Sequence, residues 1–126
     1  MNYGSMLDAI KIWAEDLCGC DIKMGLPDID AGVSMNVAAA GVLDVYYNRG
    51  ERRDFTLTIY TKDASQLIAA TVADEIGRRM TRAEFYPSGD GWSVLTMQAG
   101  GAIYVGKEES QMLWLYVNNV EVTFIS

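Results

Sequence analysis

The segment that most constrains the fold is the last stretch of the chain, Gln111–Ile125. Its even positions, Met112, Trp114, Tyr116, Val120, Val122 and Phe124, form one apolar face interrupted only by Asn118. A period of two held over that length describes a β-strand. The odd positions begin apolar at Leu113, Leu115 and Val117 and turn polar at Asn119, Glu121 and Thr123. The first half of the strand is therefore apolar on both faces and the second half on one. Such a first half needs cover from both sides, supplied either by a sandwich of sheet and helix or by a contact between subunits.

The preceding residues read as the rest of a terminal β-meander. Trp92–Ala99 is expected to be a strand, Gly100-Gly101 a break, Ala102–Val105 a short strand and Gly106–Ser110 a turn. Pro87–Gly91 reads as a loop. Asp54–Thr61 is the most secure strand, with Phe55, Leu57 and Ile59 facing one way and Thr56, Thr58 and Tyr60 the other. Val42–Tyr47 is expected to pair with it through a turn containing Asn48 and Gly50. Gly32–Ala38 alternates as a half-buried strand, and Cys20–Met24 suits a short edge strand. Ala38–Gly41 fits either a continuation of that strand or a bend.

Two segments carry helical periodicity. Met6, Ile10, Trp13 and Leu17 make one narrow stripe over Met6–Cys18, with Ser5 as the expected N-cap and Gly19 as the stop. Ile12 falls outside that stripe. In the second, Ile68, Val72, Ile76 and Met80 repeat every four residues, widened by Ala69 and Ala73. Asp63 is its expected cap, with Gln66 three residues on. Asp74 with Arg78, and Glu75 with Arg79, are acid-before-base pairs at helical spacing. Gly77 is unfavourable there by propensity, which points to a close neighbour.

At 126 residues the chain is expected to be one domain, residues 1–126. Half its residues are hydrophobic and 21% are charged, which excludes intrinsic disorder. No apolar run approaches the ~20 residues of a membrane-spanning helix, and the N-terminus has no basic region ahead of an apolar one, so no membrane partner and no secretory signal are expected. Synthesis in the cytoplasm follows. Net charge is −7, which argues against a specific nucleic-acid binder. The charge is uneven: residues 1–48 hold two lysines against seven acids, and residues 49–82 seven bases against five acids. That asymmetry suits head-to-tail self-association, although ordinary solvated charge reads the same way.

No residue pattern points to catalysis. The chain has no histidine, which removes the commonest general base and every Ser-His or Cys-His arrangement. Cys18 and Cys20 alone cannot complete a zinc site. Asp28 and Asp30 lack the further ligands of a calcium loop. Gly89-Asp-Gly91 and Gly100-Gly101 lack the helix and lysine of a phosphate-binding loop. No catalytic residue, metal ligand or cofactor is expected. The aromatic set Trp114, Tyr116 and Tyr104 could stack bases, but sheet packing is the better account in an acidic chain. Tyr46 and Tyr47 with Arg49, Arg52 and Arg53 form a polar-aromatic cluster of the composition found at interface centres, or a solvated hairpin tip. These five residues, with Trp114 and Tyr116, are the candidate subunit-interface residues.

Three stretches resemble the tail terminator, or minor capsid, proteins at the head-tail junction of long-tailed bacteriophages. Phe55-Thr-Leu-Thr-Ile-Tyr-Thr-Lys-Asp63 is similar to that family's strand leading into a capped helix, and Ala64–Ala83 to the helix itself. Tyr104-Val-Gly-Lys-Glu-Glu-Ser-Gln-Met-Leu-Trp-Leu-Tyr-Val-Asn118 resembles its turn and closing strand. Together they spread over the last two thirds of the chain, and Ala38–Arg53 departs most from the family. The resemblance implies an α+β fold, with a mixed or antiparallel twisted sheet and two helices on one face. It also implies a non-catalytic subunit of the virion tail or neck. Such a subunit forms a homo-oligomer, commonly a hexameric ring. The ring caps the tail tube, meets a tail-tube protein and a head-completion protein, and lets DNA pass. The alternative from another class is a small-ligand or peptide-binding module with a pocket lined by Trp92, Trp114 and Tyr104. An enzyme working with carboxylates alone is a third.

Overall fold

A computed structural model of the protein describes residues 3–25, 31–39, 52–108 and 112–125. In order these form α1 (Tyr3–Cys18), β1 (Ile22–Met24), β2 (Gly32–Ala39), β3 (Arg52–Asp63), α2 (Gln66–Thr81), the two-residue β4 (Ser88–Gly89), β5 (Trp92–Glu108) and β6 (Leu113–Ile125). The strands make one six-stranded sheet in the order β1-β2-β3-β6-β5-β4. Only β1 and β2 run parallel; every other neighbouring pair is antiparallel. The fold is α+β with a mixed sheet, as the order of elements implied.

The helices share one face of the sheet. The register aligns Leu57 with Val120, Phe55 with Val122 and Ile59 with Asn118 across β3 and β6, and Met97 with Val122 and Ala99 with Val120 across β5 and β6. Met6, Ile10 and Ala14 of α1 and Ile76 and Met80 of α2 are buried in the same cluster as Met35, Leu57, Ile59, Val120, Val122 and Phe124. Phe55 and Phe124 meet edge to face, with ring centroids 5.6 Å apart. The helices also touch each other. Arg79 Nη1 donates to the Leu17 carbonyl at 3.2 Å, a cation on the negative end of α1.

Several local expectations shift. Helix α1 starts at Tyr3, so Ser5 lies inside it and does not cap it. Its fully buried line is Met6, Ile10 and Ala14, with Trp13 and Leu17 at the margin. Small Ala14 allows close packing, whereas Trp13 reaches sideways to Tyr86 and donates its indole N–H to the Phe85 carbonyl at 3.0 Å. Gly19 ends α1 as expected, with φ +67° and its N–H on the Glu15 carbonyl. The N-cap of α2 is Ser65, whose hydroxyl accepts from Ile68 N–H. Asp63 acts one step earlier, accepting from the Ser65 N–H at 2.9 Å. The buried face of α2 is Ala69, Ala73, Ile76, Gly77 and Met80, and Ile68 is 51% exposed. The helix thus turns Ile76 and Met80 of the four-residue repeat and the small residues Ala69, Ala73 and Gly77 toward the sheet, with Val72 at the margin and only Ile68 turned out. Glu75 takes both neighbouring cations, Arg78 and Arg79.

The expected break at Gly100-Gly101 is absent. β5 runs unbroken over 17 residues and absorbs the glycines in a bulge between Ala99 and Ala102, one of three irregularities in its register with β6. Gly101 takes φ +104° there, a conformation glycine adopts at little cost. The loop expected over Pro87–Gly91 contains β4, which pairs with the start of β5. β2 continues through Ala39 with a bulge after Val37. The expected strand Val42–Tyr47 lies outside the described residues.

Candidate assembly surface

β6 is apolar on both faces over Leu113–Val117, and the first turn of α2 reaches it at Tyr116. On the helix face, the register places Tyr104, Tyr116 and Thr61 in one row, and Lys107, Trp114 and Asp63 in the next. Tyr104 touches both partners, with ring centroids 5.5 Å from Tyr116 and 5.9 Å from Trp114. The Lys107 ammonium sits 4.8 Å above the Trp114 ring, a cation–π contact. The first turn of α2 stops at the edge of this cluster, where Gln66 Nε2 donates to the Tyr116 hydroxyl at 3.1 Å. Thr61 is buried beneath, and its hydroxyl finds no partner among the described residues.

The opposite face changes character along its length. Toward one end it is a polar ladder: the Thr58 hydroxyl donates to Asn119 Oδ1 at 2.8 Å and the Thr123 hydroxyl to Asp54 at 2.6 Å. Toward the other end the row is Ile103, Val117 and Tyr60. Ile103 and Val105 are 53% exposed and Tyr104 48%. Single apolar residues are commonly left in water; three consecutive half-exposed ones, Ile103, Tyr104 and Val105, are a larger exposed apolar set. On the helix face of β6 the fully buried positions begin at Asn118, and Trp114 and Tyr116 before it are half-buried.

The seven candidate interface residues do not gather in one place. Trp114 and Tyr116 belong to the aromatic cluster. Arg52 and Arg53 open β3 and pair with Ile125 and Phe124, whereas Trp114 pairs with Asp63 at the strand's other end. Ten residues of extended chain separate the two, roughly 30 Å. Tyr46, Tyr47 and Arg49 lie outside the described residues. The ligand pocket considered for Trp92, Trp114 and Tyr104 does not form. Trp92 packs on Gly89 at the start of β5, and Tyr104 is twelve residues further along the same strand, roughly 35 Å away. Sequence reasoning missed Ile103, Val105, Lys107 and Gln66 as parts of this surface. The signal for Ile103 and Val105 is the uncharged run from Trp92 to Gly106; Gln66 and Lys107 carry none.

Elsewhere, burial pushes the Cys18 thiol up to about 11, with Cys20 adding to the effect, and raises Cys20 as well. The thiols stay protonated and poorly nucleophilic at neutral pH. Among the described residues no three acids or cysteines converge to hold a metal, and no helix is long and apolar enough to cross a membrane.

The arrangement is an α+β fold whose distinctive surface, among the described residues, is the partly exposed end of the sheet around Ile103, Tyr104 and Val105. No protein-family model matches the chain, and no curated protein matches it. Among solved structures, it is similar to a chain of the virion of a native gene transfer agent (GTA) particle, with a TM-score of 0.53 and 16% identity, covering 90% of this chain and 84% of that one. At that identity the likeness is one of fold.

Proposed function

We propose that the protein is a non-catalytic structural subunit of a phage-type virion, a ring-forming component that caps the tail tube and joins it to the head. The observation that carries this reading is the likeness in fold, across nearly the whole of both chains, to a chain of a virion particle. The separation of the candidate interface residues supports it too. A ring closes through two different patches on one molecule, and Arg52–Arg53 at the start of β3 and Trp114–Tyr116 of β6, beside the end of β3, supply two such patches.

The test is size-exclusion chromatography with light scattering across concentration and salt, followed by binding to purified tail tubes. A ring, or a monomer that caps tube ends, is expected. Changing Arg49, Arg52 and Arg53 to glutamate should abolish the ring while the subunit stays folded. A protein that neither assembles nor binds tubes refutes the reading.

A further inference from the structure

Tyr104, Trp114 and Tyr116 meet on the helix face of β5 and β6 without stacking. Tyr104 touches the other two, its ring inclined to Trp114 by 47° and to Tyr116 by 55°, so it lies flat on neither. Tyr104 is about half exposed, and Trp114 and Tyr116 are half-buried, which leaves the cluster open to solvent. The Gln66 side chain anchors Tyr116 through its hydroxyl. One row of the sheet runs Asp63, Trp114, Lys107. Trp114 therefore has a carboxylate residue beside it on one strand and an ammonium residue on the other. That ammonium lies over the indole, 4.8 Å from the ring centroid. Asp63 is held in place, since one of its oxygens accepts the Ser65 N–H. The indole thus already holds a cation, supplied by the chain itself.

We propose that this cluster docks a basic segment of another virion protein, which seats an arginine on Trp114 in place of Lys107. The faces of aromatic rings attract a cation, tryptophan most strongly, and Asp63 adds a full negative charge in the same row. A guanidinium displaces an ammonium here because it is planar, stacks on aromatic faces and is less strongly hydrated. Charge selects the partner. The chain carries −7, so a basic segment is drawn toward it. A nucleic-acid strand stacking its bases on the same rings would bring phosphates against Asp63 and that net charge. Lys107 acts as the guard of the site: in the free subunit it covers the indole, and its charge opposes a second cation until it swings away. This inference rests on the subunit reading and names the chemistry of a partner.

The test is a nuclear magnetic resonance titration with a short glycine–arginine peptide, and with the same peptide carrying citrulline, a neutral near-isostere of arginine. The Trp114 indole signal should move with the arginine peptide, and the citrulline peptide should bind about tenfold more weakly, the order of one desolvated cation–π contact. Trp114→Leu should weaken the arginine peptide by about tenfold. Lys107→Met, which frees the ring, should tighten it by about threefold, where a merely structural lysine would leave it unchanged. Tyr104→Leu, at an exposed position, should also weaken binding and serves if Trp114→Leu fails to fold. Equal binding of the two peptides, or binding that leaves the Trp114 signal in place, overturns the site, as does tighter binding of a short oligothymidylate than of the arginine peptide. A protein that caps tail tubes yet ignores the arginine peptide loses the docking site and keeps the subunit reading. One that binds the peptide but neither assembles nor binds tubes keeps a site for a basic segment and loses the subunit reading.

Discussion

Gly77→Ala sets two well-known effects against each other. In an exposed helix, alanine would stabilise α2 by about 1 kcal/mol over glycine. Here a Cβ at position 77 would lie 2.1 Å from Asn118 Nδ2 and 2.9 Å from both Asn118 Cγ and Ala99 Cβ. Carbon contacts are comfortable near ~3.5 Å, so Asn118 would have to move by more than an ångström. It is not free to do so. Asn118 is fully buried, its Nδ2 donates to the Ala73 carbonyl at 3.0 Å, and its Oδ1 accepts from the Gly101 N–H at 3.2 Å. Moving it breaks both bonds, at about 0.5–1.5 kcal/mol each, and strands a buried amide, at about 1–3 kcal/mol. Remaining overlap adds strain of the same order. After the propensity gain these terms leave a net loss of about 2–8 kcal/mol, lowering Tm by at least about 6 °C. Urea and thermal unfolding, followed by circular dichroism, would measure it. In an Asn118→Ala background the same glycine change should cost at least about 1 kcal/mol less, a coupling that a double-mutant cycle reads directly. A Gly77→Ala protein as stable as the wild type, or more so, would refute the argument.

Other expectations follow from single contacts. Thr81 Oγ1 donates to the Gly77 carbonyl at 2.9 Å and accepts the Ala99 N–H, so Thr81→Val should destabilise by about 1–3 kcal/mol and speed exchange at the Ala99 amide; an unchanged amide would contradict the assignment. Ser65→Ala removes the cap of α2 and should cost about 1 kcal/mol by chemical denaturation, with no loss expected if Asp63 were the true cap. Cys18, pushed up to about 11, should react slowly with a disulfide reagent at pH 8 and faster as the pH rises toward that value; rapid labelling at pH 7 would contradict its burial. Glu15 is held below the usual carboxylate range by the Ile22 N–H and then by Lys11, and Glu75 by Arg79 and then Arg78. Ionisation is favoured in the fold, so both contributions are present at neutral pH and fade as the pH falls through the lowered values. The acid limb of a stability titration should flatten in Glu15→Gln, and an unchanged limb would mean that the contact to Ile22 is not formed in solution.

Local chemistry made most element types legible. The period of two over Leu113–Ile125, the small and apolar positions of α2, and the stop at Gly19 are properties of a few neighbouring residues. They survive whatever the rest of the chain does. Where local rules compete, the sequence reading slipped. Glycines at 100 and 101 break a strand by propensity, yet a bulge carries them because β6 offers an unbroken partner. Asp63 and Ser65 are both good caps, and only the geometry of the strand leaving the sheet chooses between them. Two separate oddities, a glycine inside a helix and an asparagine inside an apolar face, were visible in the sequence as Gly77 and Asn118.

What the sequence by itself determined is therefore the inventory: two helices, a strand apolar on both faces at its start, and an uncharged run before it. What only the tertiary structure decided is adjacency. Gly77 meets Asn118 because α2 lies across β6, and the two halves of the expected interface part company because β3 is a single extended strand. Trp114 and Tyr116 at the aromatic end of the sheet are half-buried where Val120 and Val122 are fully buried, because α2 begins only at Gln66. Periodicity is set over a few residues by backbone sterics. Pairing between positions forty or more apart is set by how all the faces find cover at once, and no window of sequence contains that.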